Sequence, residues 1–90
     1  MARLVLTESF LNELADLSDR AADEVLRKLA LVESFPGVGS SVTNSLLLNS
    51  FGSGGLKVSA AGYDVFYKRV PTGDDELVYV VGLLHQRRIR

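Results

Sequence analysis

The carboxyl-terminal third of the chain constrains the fold most, because it alternates extended apolar segments with glycine turns. Its segments are LKVSA (56–60), YDVFYKRV (63–70) and LVYVVGLL (77–84). Valine, tyrosine and phenylalanine favour strands. Gly62 and Gly73 lie in the two connections, and short glycine-containing connections are typical of β-hairpins. The pattern therefore predicts three consecutive antiparallel strands, a meander.

The two hairpins also predict how the strands are aligned. Counting from the turns places Lys57 opposite about Val65, and Asp64 opposite about Leu83. The last strand is apolar on both faces over 78–84, so we expect it to lie inside the sheet. The basic residues that follow it should then emerge at the same end of the sheet as Asp64.

The amino-terminal half predicts one strand and two helices. A short apolar strand at 3–6 precedes Thr7, whose hydroxyl can cap a first helix, and a second helix runs over about 20–34 from a cap at Ser18 or Asp19. The short break between the helices predicts an antiparallel helical hairpin. The apolar residues recur at intervals of three and four and should face inward: Phe10, Leu14 and Leu17, then Ala22, Val25, Leu26, Leu29 and Val32.

Residues 36–55 are rich in glycine, serine and asparagine and predict a loop. A loop of this length is uncommon in a compact domain, so we expect Leu46, Leu48 and Phe51 to pack against the core. The apolar surface of this segment and of the helices exceeds what the predicted elements need to bury. A helix or strand of a partner protein is therefore expected to cover part of it.

These elements predict a single α+β domain spanning 1–90, with the first strand joining the sheet and the helical hairpin covering one face. The chain has no cysteine, which excludes disulfides and thiolate metal sites. No grouping of histidine and acidic residues has metal-ligand spacing, and we expect neither a metal nor a cofactor. Without a signal-like segment or an apolar run of about 18 residues, the expected location is cytoplasmic, with no membrane contact.

Charge is unevenly distributed along the chain. Residues 1–45 carry four basic and seven acidic side chains, a net charge of −3, whereas residues 46–90 carry six and four, a net charge of +2. The positive end is concentrated in Arg87, Arg88 and Arg90. This cluster predicts either a solvated tail that balances acidic groups or an edge that binds a target, because arginine binds phosphate and carboxylate alike.

The order of elements, together with LKVSAAGYDVFYKRV and VYVVGLLHQRRIR, resembles the RelE/ParE superfamily of bacterial type II toxin–antitoxin modules. The matching features are Lys57, Gly62, the Tyr-x-apolar-apolar-Tyr pattern at 63–67, and His followed by arginines at 85–88. The resemblance implies two helices against a twisted, mostly antiparallel sheet. It also implies a growth-inhibiting toxin of a plasmid-stabilisation module, neutralised by a cognate antitoxin that wraps it.

The resemblance leaves two targets open. RelE-like members are ribosome-dependent mRNA endonucleases (mRNA interferases), and ParE-like members bind and poison DNA gyrase. A RelE-like reading would make Lys57, His85 and Arg87 catalytic, since RNA cleavage needs proton transfer and cations that hold the phosphate. Against it, Asp64 stands where an arginine is usual, and no tyrosine follows Tyr79.

His85 is the one histidine of the chain, and histidine can exchange protons near neutral pH. By strand alternation it should share a face with Tyr79, Val81, Leu83 and Arg87. It could end a strand with local hydrogen bonds, transfer protons, or bind a partner. We also expect a salt bridge between Asp64 and Arg87.

The residues favour the ParE-like reading, in which the protein acts by binding and Arg87, Arg88 and Arg90 contact the target. A sequence pI of about 5.7 fits poorly with docking on ribosomal RNA, whose affinity comes from phosphate neutralisation. The expected partners are the antitoxin, with DNA gyrase or the ribosome and mRNA as target; a second copy of the chain is a further candidate. A third reading is an inactive homologue that only binds its antitoxin, which Asp64 favours.

Overall fold

The computed structural model describes residues 2–42 and 54–86, and these form an α+β fold in which two helices pack on a mixed sheet of five strands. The predicted fold class is confirmed. In chain order the elements are β1 (Ala2–Leu6), α1 (Glu8–Ala15), α2 (Asp19–Ser34), β2 (Ser40–Ser41), β3 (Leu56–Ala60), β4 (Tyr63–Thr72) and β5 (Asp75–His85). Several residues of the sequence analysis lie outside the described part: Leu46, Leu48, Phe51, Arg87, Arg88 and Arg90.

The sheet has the strand order β1-β5-β4-β3-β2. Strands β3, β4 and β5 form the predicted antiparallel meander, and β1 joins it in parallel with β5, from the pair Ala2–Glu76 to the pair Leu6–Val80. β5 therefore lies inside the sheet, as its apolar composition predicts. Neither described helix is long and apolar enough to cross a membrane.

Hydroxyl caps begin both helices. The side chain of Thr7 accepts a hydrogen bond from Phe10 N at 3.3 Å, and Ser18 accepts one from Ala21 N at 3.2 Å, so Ser18 rather than Asp19 is the cap. The Thr7 hydroxyl also donates to Val80 O at 2.8 Å. Thr7 thus joins the start of α1 to β5.

The main core lies between the helices and the sheet. Phe10 of α1 and Val25, Leu29 and Val32 of α2 are buried there. The prediction was wrong for Leu26, which is 44% exposed. Val25, Leu29 and Val32 form the stripe that meets the sheet, and Leu26 lies about 100° further round the helix axis. The sheet residues of this core are Ala2, Val58, Val65, Tyr67, Val78, Val80 and Leu83.

The strand alignment differs by one residue from the prediction at both tested positions. Lys57 pairs with Phe66, because the β3–β4 turn consists of two residues only, Ala61 and Gly62, with φ of 55° and 80°. Asp64 pairs with Leu84 because the ladder between β4 and β5 is irregular. A shift of one residue moves a side chain to the other face of a sheet, so it changes which residues meet.

The irregularity is a β-bulge in β5. Phe66 pairs with Gly82 and Tyr67 with Val80, which leaves Val81 as the extra residue. Beyond the bulge, the side chains that would have pointed to one face of the sheet point to the other. His85 and Tyr79 therefore lie on opposite faces, whereas the sequence predicted that they share one. His85 instead pairs with Tyr63, which packs against the helix-facing core.

The segment predicted as a loop contains a 3-10 turn at Pro36–Val38 and the short strand β2. Both are held by Tyr67, which is completely buried and donates from its hydroxyl to Pro36 O at 2.8 Å. The same hydroxyl accepts from Gly39 N at 2.9 Å. Val42, which follows β2, packs with Phe66 on the face of the sheet away from the helices.

Candidate functional site

A cluster of four polar residues lies on the helix-free face of the sheet, where β3, β4 and the end of β5 meet. This polar cluster consists of Lys57, Ser59, Asp64 and Gln86. Ser59 Oγ donates to Asp64 Oδ1 at 3.0 Å, and Lys57 Nζ lies 3.5 Å from Asp64 Oδ2. Gln86 Nε2 donates to both Asp64 Oδ1, at 3.0 Å, and Ser59 Oγ, at 3.1 Å.

Asp64 is the centre of the polar cluster and is only 4% exposed. A buried carboxylate must be paired and hydrogen-bonded, and in the described part of the chain no buried side-chain nitrogen or oxygen lacks a partner. The expected salt bridge between Asp64 and Arg87 falls outside the described residues. Within them, Lys57 is the cation that pairs with Asp64.

The polar cluster also fixes the end of β5. Gln86 N donates to Gly62 O at 3.0 Å, while the Gln86 side chain bonds to Asp64 and Ser59. Gln86 is thus held to the β3–β4 hairpin by both its backbone and its side chain.

His85 lies on the opposite, helix-facing side of the sheet. Its ring meets the ring of Tyr63 edge-on, with centroids 5.0 Å apart and planes at 84°. Both line an open cleft of about 510 Å³ together with Glu13, Asp16 and Leu17 from the end of α1. Burial raises the pKa of the Glu13 carboxyl, and a hydrogen bond from the backbone of Leu83 partly offsets this rise.

The structure therefore separates the residues that the RelE-like reading would make catalytic. Lys57 and His85 point to opposite faces of the sheet. The two-residue turn determines the face for Lys57, and the bulge in β5 determines it for His85. Arg87, the third of them, lies outside the described residues, as do Arg88 and Arg90. No active site that combines Lys57 with His85 is formed by the described part of the chain.

A second cleft, of about 620 Å³, lies at the other end of the β4–β5 hairpin. Arg69 and Glu76 form a two-pronged ion pair there, with both nitrogen–oxygen distances at 2.9 Å. The hydrogen bond from Arg69 lowers the pKa of Glu76. Glu33, Asp74 and Asp75 also line this cleft, which makes it acidic overall.

The roles of Ser59 and Gln86 in the polar cluster were missed by the sequence analysis. A two-residue hairpin turn at Ala61–Gly62 would have placed Ser59 directly opposite Asp64. The contact between Gln86 and Asp64 could not be predicted in this way, because the position of Gln86 depends on the bulge in β5. Among residues 2–42 and 54–86, no group of three or more histidine, aspartate and glutamate side chains is arranged to hold a metal ion.

Two solved structures share the fold. The toxin–antitoxin complex RelBE2 from Mycobacterium tuberculosis superposes with a TM-score of 0.69 at 17% identity, covering 91% of this chain and 94% of that chain. The YoeB/ParE toxin from Agrobacterium tumefaciens gives a TM-score of 0.70 at 13% identity, covering 92% of this chain and 97% of that chain. A comparison with curated protein sequences found no match.

The sequence itself assigns the family. The family described as ParE toxin of type II toxin-antitoxin system, parDE, matches residues 4–90, which is nearly the whole chain. The predicted superfamily is confirmed by this match, and the fold agrees with it. The chain belongs to the ParE toxin family of type II toxin–antitoxin systems.

Proposed function

We propose that this toxin inhibits growth by binding DNA gyrase, without catalysing a reaction, and that a cognate antitoxin neutralises it. Membership of the ParE family supports a protein-binding mode of action, and a toxin–antitoxin complex is among its structural neighbours. Gyrase acts in the cytoplasm, which is where we place the toxin.

The separation of Lys57 from His85 carries this proposal. Cleavage of RNA needs a cation at the phosphate and a proton-transfer group on the same side of it. Lys57 lies 3.5 Å from a buried carboxylate that partly neutralises it, and His85 is on the other face of the sheet. Since the described residues do not bring these groups together, their arrangement favours binding over catalysis.

The proposed contact with gyrase is made by Arg87, Arg88 and Arg90. Gln86, the last described residue before them, is held to the β3–β4 hairpin by its backbone and its side chain. A fixed starting point reduces the conformational entropy that the following residues lose on binding. Arginine presents several donors at once and suits recognition of acidic protein surfaces.

The test is to add the purified protein to two reactions in parallel. We expect inhibition of DNA supercoiling by purified gyrase, and no cleavage of mRNA on translating ribosomes. Ribosome-dependent cleavage that Lys57→Ala, His85→Ala or Arg87→Ala abolishes would overturn the proposal in favour of the RelE-like endonuclease. A protein that affects neither reaction and leaves growth unchanged, yet binds its antitoxin, would be an inactive homologue.

A further inference from the structure

The open cleft of about 510 Å³ between the ends of α1 and β5, the Glu13 cleft, is negatively charged. Glu13 and Asp16 line it together, because residues three apart lie on the same face of a helix. No lysine or arginine is among the residues that line it. Among residues 2–42 and 54–86, the lysine and arginine side chains that form ion pairs do so with other carboxylates. The Glu13 cleft therefore presents two carboxylates that no lysine or arginine of the described part of the chain neutralises.

The position of these carboxylates at the end of α1 adds to the negative potential. A helix carries partial negative charge at its C-terminus, where cations are favourable and carboxylates are unfavourable. Asp16 is the C-cap of α1, and the last turn of α1 contains no basic residue. Glu13 is unfavourable for a different reason, because burial raises its pKa. Carboxylates that do not stabilise the free protein are typical of groups that are retained for binding.

The rest of the lining suits the long side chain of a lysine or an arginine. The rings of Tyr63 and His85 stand nearly perpendicular to each other, and the face of a tyrosine ring attracts cations. Leu17 and Leu83 are apolar, and the methylene stem of a lysine or arginine packs on such a surface while its charged head pairs with a carboxylate. The volume of the Glu13 cleft lies within the range of about 300 to 1,000 Å³ typical of binding clefts, so it has room for such a side chain.

The Glu13 cleft lies at the end of the sheet from which the chain continues to the arginines of the proposed gyrase contact. His85 lines the cleft and ends β5, and Arg87 follows two residues later. Two residues of chain span at most about 7 Å, so a protein that binds Arg87 comes within reach of the cleft. An anionic cleft beside a cationic segment also fixes the orientation of the partner, since opposite charges must meet at both places.

We propose that the Glu13 cleft is a second contact with DNA gyrase and binds a lysine or arginine side chain of that enzyme. The charged head of this side chain pairs with the carboxylates of Glu13 and Asp16, and its stem lies against Tyr63 and Leu17. This inference rests on the proposed inhibition of gyrase, and it specifies the chemistry of a residue that gyrase presents to the toxin.

The test measures the concentration of the full chain that half-inhibits DNA supercoiling by purified gyrase. Glu13→Gln combined with Asp16→Asn should raise this concentration about tenfold, because the bound cation loses both carboxylates. Asp23→Asn combined with Glu24→Gln is the matched control and should leave inhibition unaltered, since it makes the same change in net charge at exposed ion pairs of α2 that do not line the cleft. Thermal melts should show that the Glu13 and Asp16 double variant is at least as stable as wild type at pH 7, so weaker inhibition would not reflect unfolding.

Titration calorimetry with purified gyrase at low and high salt supplies an independent measurement. Salt weakens ion pairs, so the Kd of the Glu13 and Asp16 double variant should depend less on salt than that of wild type, whereas the control should keep the dependence of wild type. An unchanged salt dependence of the double variant would contradict the proposed ion pairs.

The supercoiling assay separates failure of this inference from failure of the proposed function. A wild-type protein that does not inhibit gyrase contradicts the proposed function itself. If wild type inhibits gyrase and the Glu13 and Asp16 double variant inhibits it as strongly as the control does, gyrase does not use the Glu13 cleft. Stronger inhibition by the double variant would mean that the two carboxylates hold a cation of this chain and not of gyrase, which also overturns the proposal.

Discussion

At the scale of single residues, Asp64 shows how a sheet can bury a carboxylate when neighbouring side chains satisfy it. Asp64 Oδ1 accepts hydrogen bonds from both Ser59 and Gln86, and Oδ2 forms an ion pair with Lys57. Removing Asp64 would leave those partners without their acceptor, and unsatisfied groups cost more than the lost bonds contribute. The residue is therefore structural whether or not it influences the target.

Asp64→Ala should lower the free energy of unfolding by about 2 kcal/mol, the order expected when a buried, hydrogen-bonded charge is removed and its partners are partly exposed. The measurement is urea denaturation at neutral pH. Asp23→Ala is the control: its salt bridge to Arg27 is 3.1 Å long but both side chains are more than half exposed, so its loss should cost at most about 0.5 kcal/mol. Equal effects of the two substitutions would contradict this account of the polar cluster.

Glu13 predicts a pH dependence of stability. Burial raises its pKa above the ordinary value of 4.5, so the folded protein favours the neutral carboxyl. The neutral Glu13 carboxyl therefore contributes to the free energy of unfolding. This contribution is fully present below pH 4.5 and is lost as the pH rises through the raised pKa of the folded protein. Glu13→Gln stays neutral and should therefore unfold at a higher temperature than wild type at pH 7, by a margin that narrows below pH 4.5.

The readout for Glu13 is the difference in melting temperature between variant and wild type across this pH range, which cancels the titration of shared groups. Glu24→Gln, an exposed side chain on the outside of α2, serves as the comparison and should show no gain at pH 7. A Glu13→Gln protein that is less stable than wild type at neutral pH would mean that the Leu83 hydrogen bond outweighs burial.

At the scale of elements, the hydrophobic patterns predicted both helices and four of the five strands that the structure describes, but neither β2 nor the exact alignment of the strands. The run VYVVGLL is apolar on both faces, so inserting a bulge at Val81 moves no polar residue into the core and leaves no trace in the pattern. The turn at Ala61–Gly62 requires φ of 55° at an alanine, which favours predicting a longer turn. These two features decide that Lys57 meets Asp64 and that His85 does not join them.

Another feature that the sequence concealed is the packing of Gly39 beneath Tyr67. A Cβ at Gly39 would lie 2.5 Å from Tyr67 Oη and 2.9 Å from the carbonyl oxygen of Lys57. Gly39→Ala should therefore push the 3-10 turn and β2 off the sheet and cost about 1 to 3 kcal/mol. Gly55→Ala is the matched control, since its Cβ would meet nothing closer than 3.8 Å.

Thermal denaturation of both glycine variants, with amide exchange at Gly39, checks this. We expect Gly39→Ala to lower the melting temperature and expose its amide, and Gly55→Ala to resemble wild type. A Gly39→Ala protein as stable as wild type would mean that Tyr67 can release the 3-10 turn at little cost.

At the scale of the whole molecule, the two faces of the sheet are covered by different groups. The helices occupy one face, where Glu13, Tyr63 and His85 border an open cleft. The other face carries the polar cluster, in which Asp64 is buried among Lys57, Ser59 and Gln86. Gln86, which the β3–β4 hairpin holds, comes directly before the three arginines of the proposed gyrase contact, so inhibition of gyrase and neutralisation by the antitoxin can be tested separately.

The last prediction separates these two activities. Replacing Arg87, Arg88 and Arg90 together with serine should raise the concentration of toxin that half-inhibits gyrase supercoiling at least tenfold, because the proposed contact loses its three cations. The affinity for the antitoxin should stay within about threefold of wild type, because the substitutions leave the surfaces formed by residues 2–42 and 54–86 unchanged. Arg20→Ser with Arg27→Ser is the charge control, since both side chains lie exposed on α2, and should leave gyrase inhibition unaltered. If the triple variant inhibits gyrase as strongly as wild type, the three arginines do not form the target-binding surface. The cleft bordered by His85 and Tyr63 would then be the next surface in which to substitute residues.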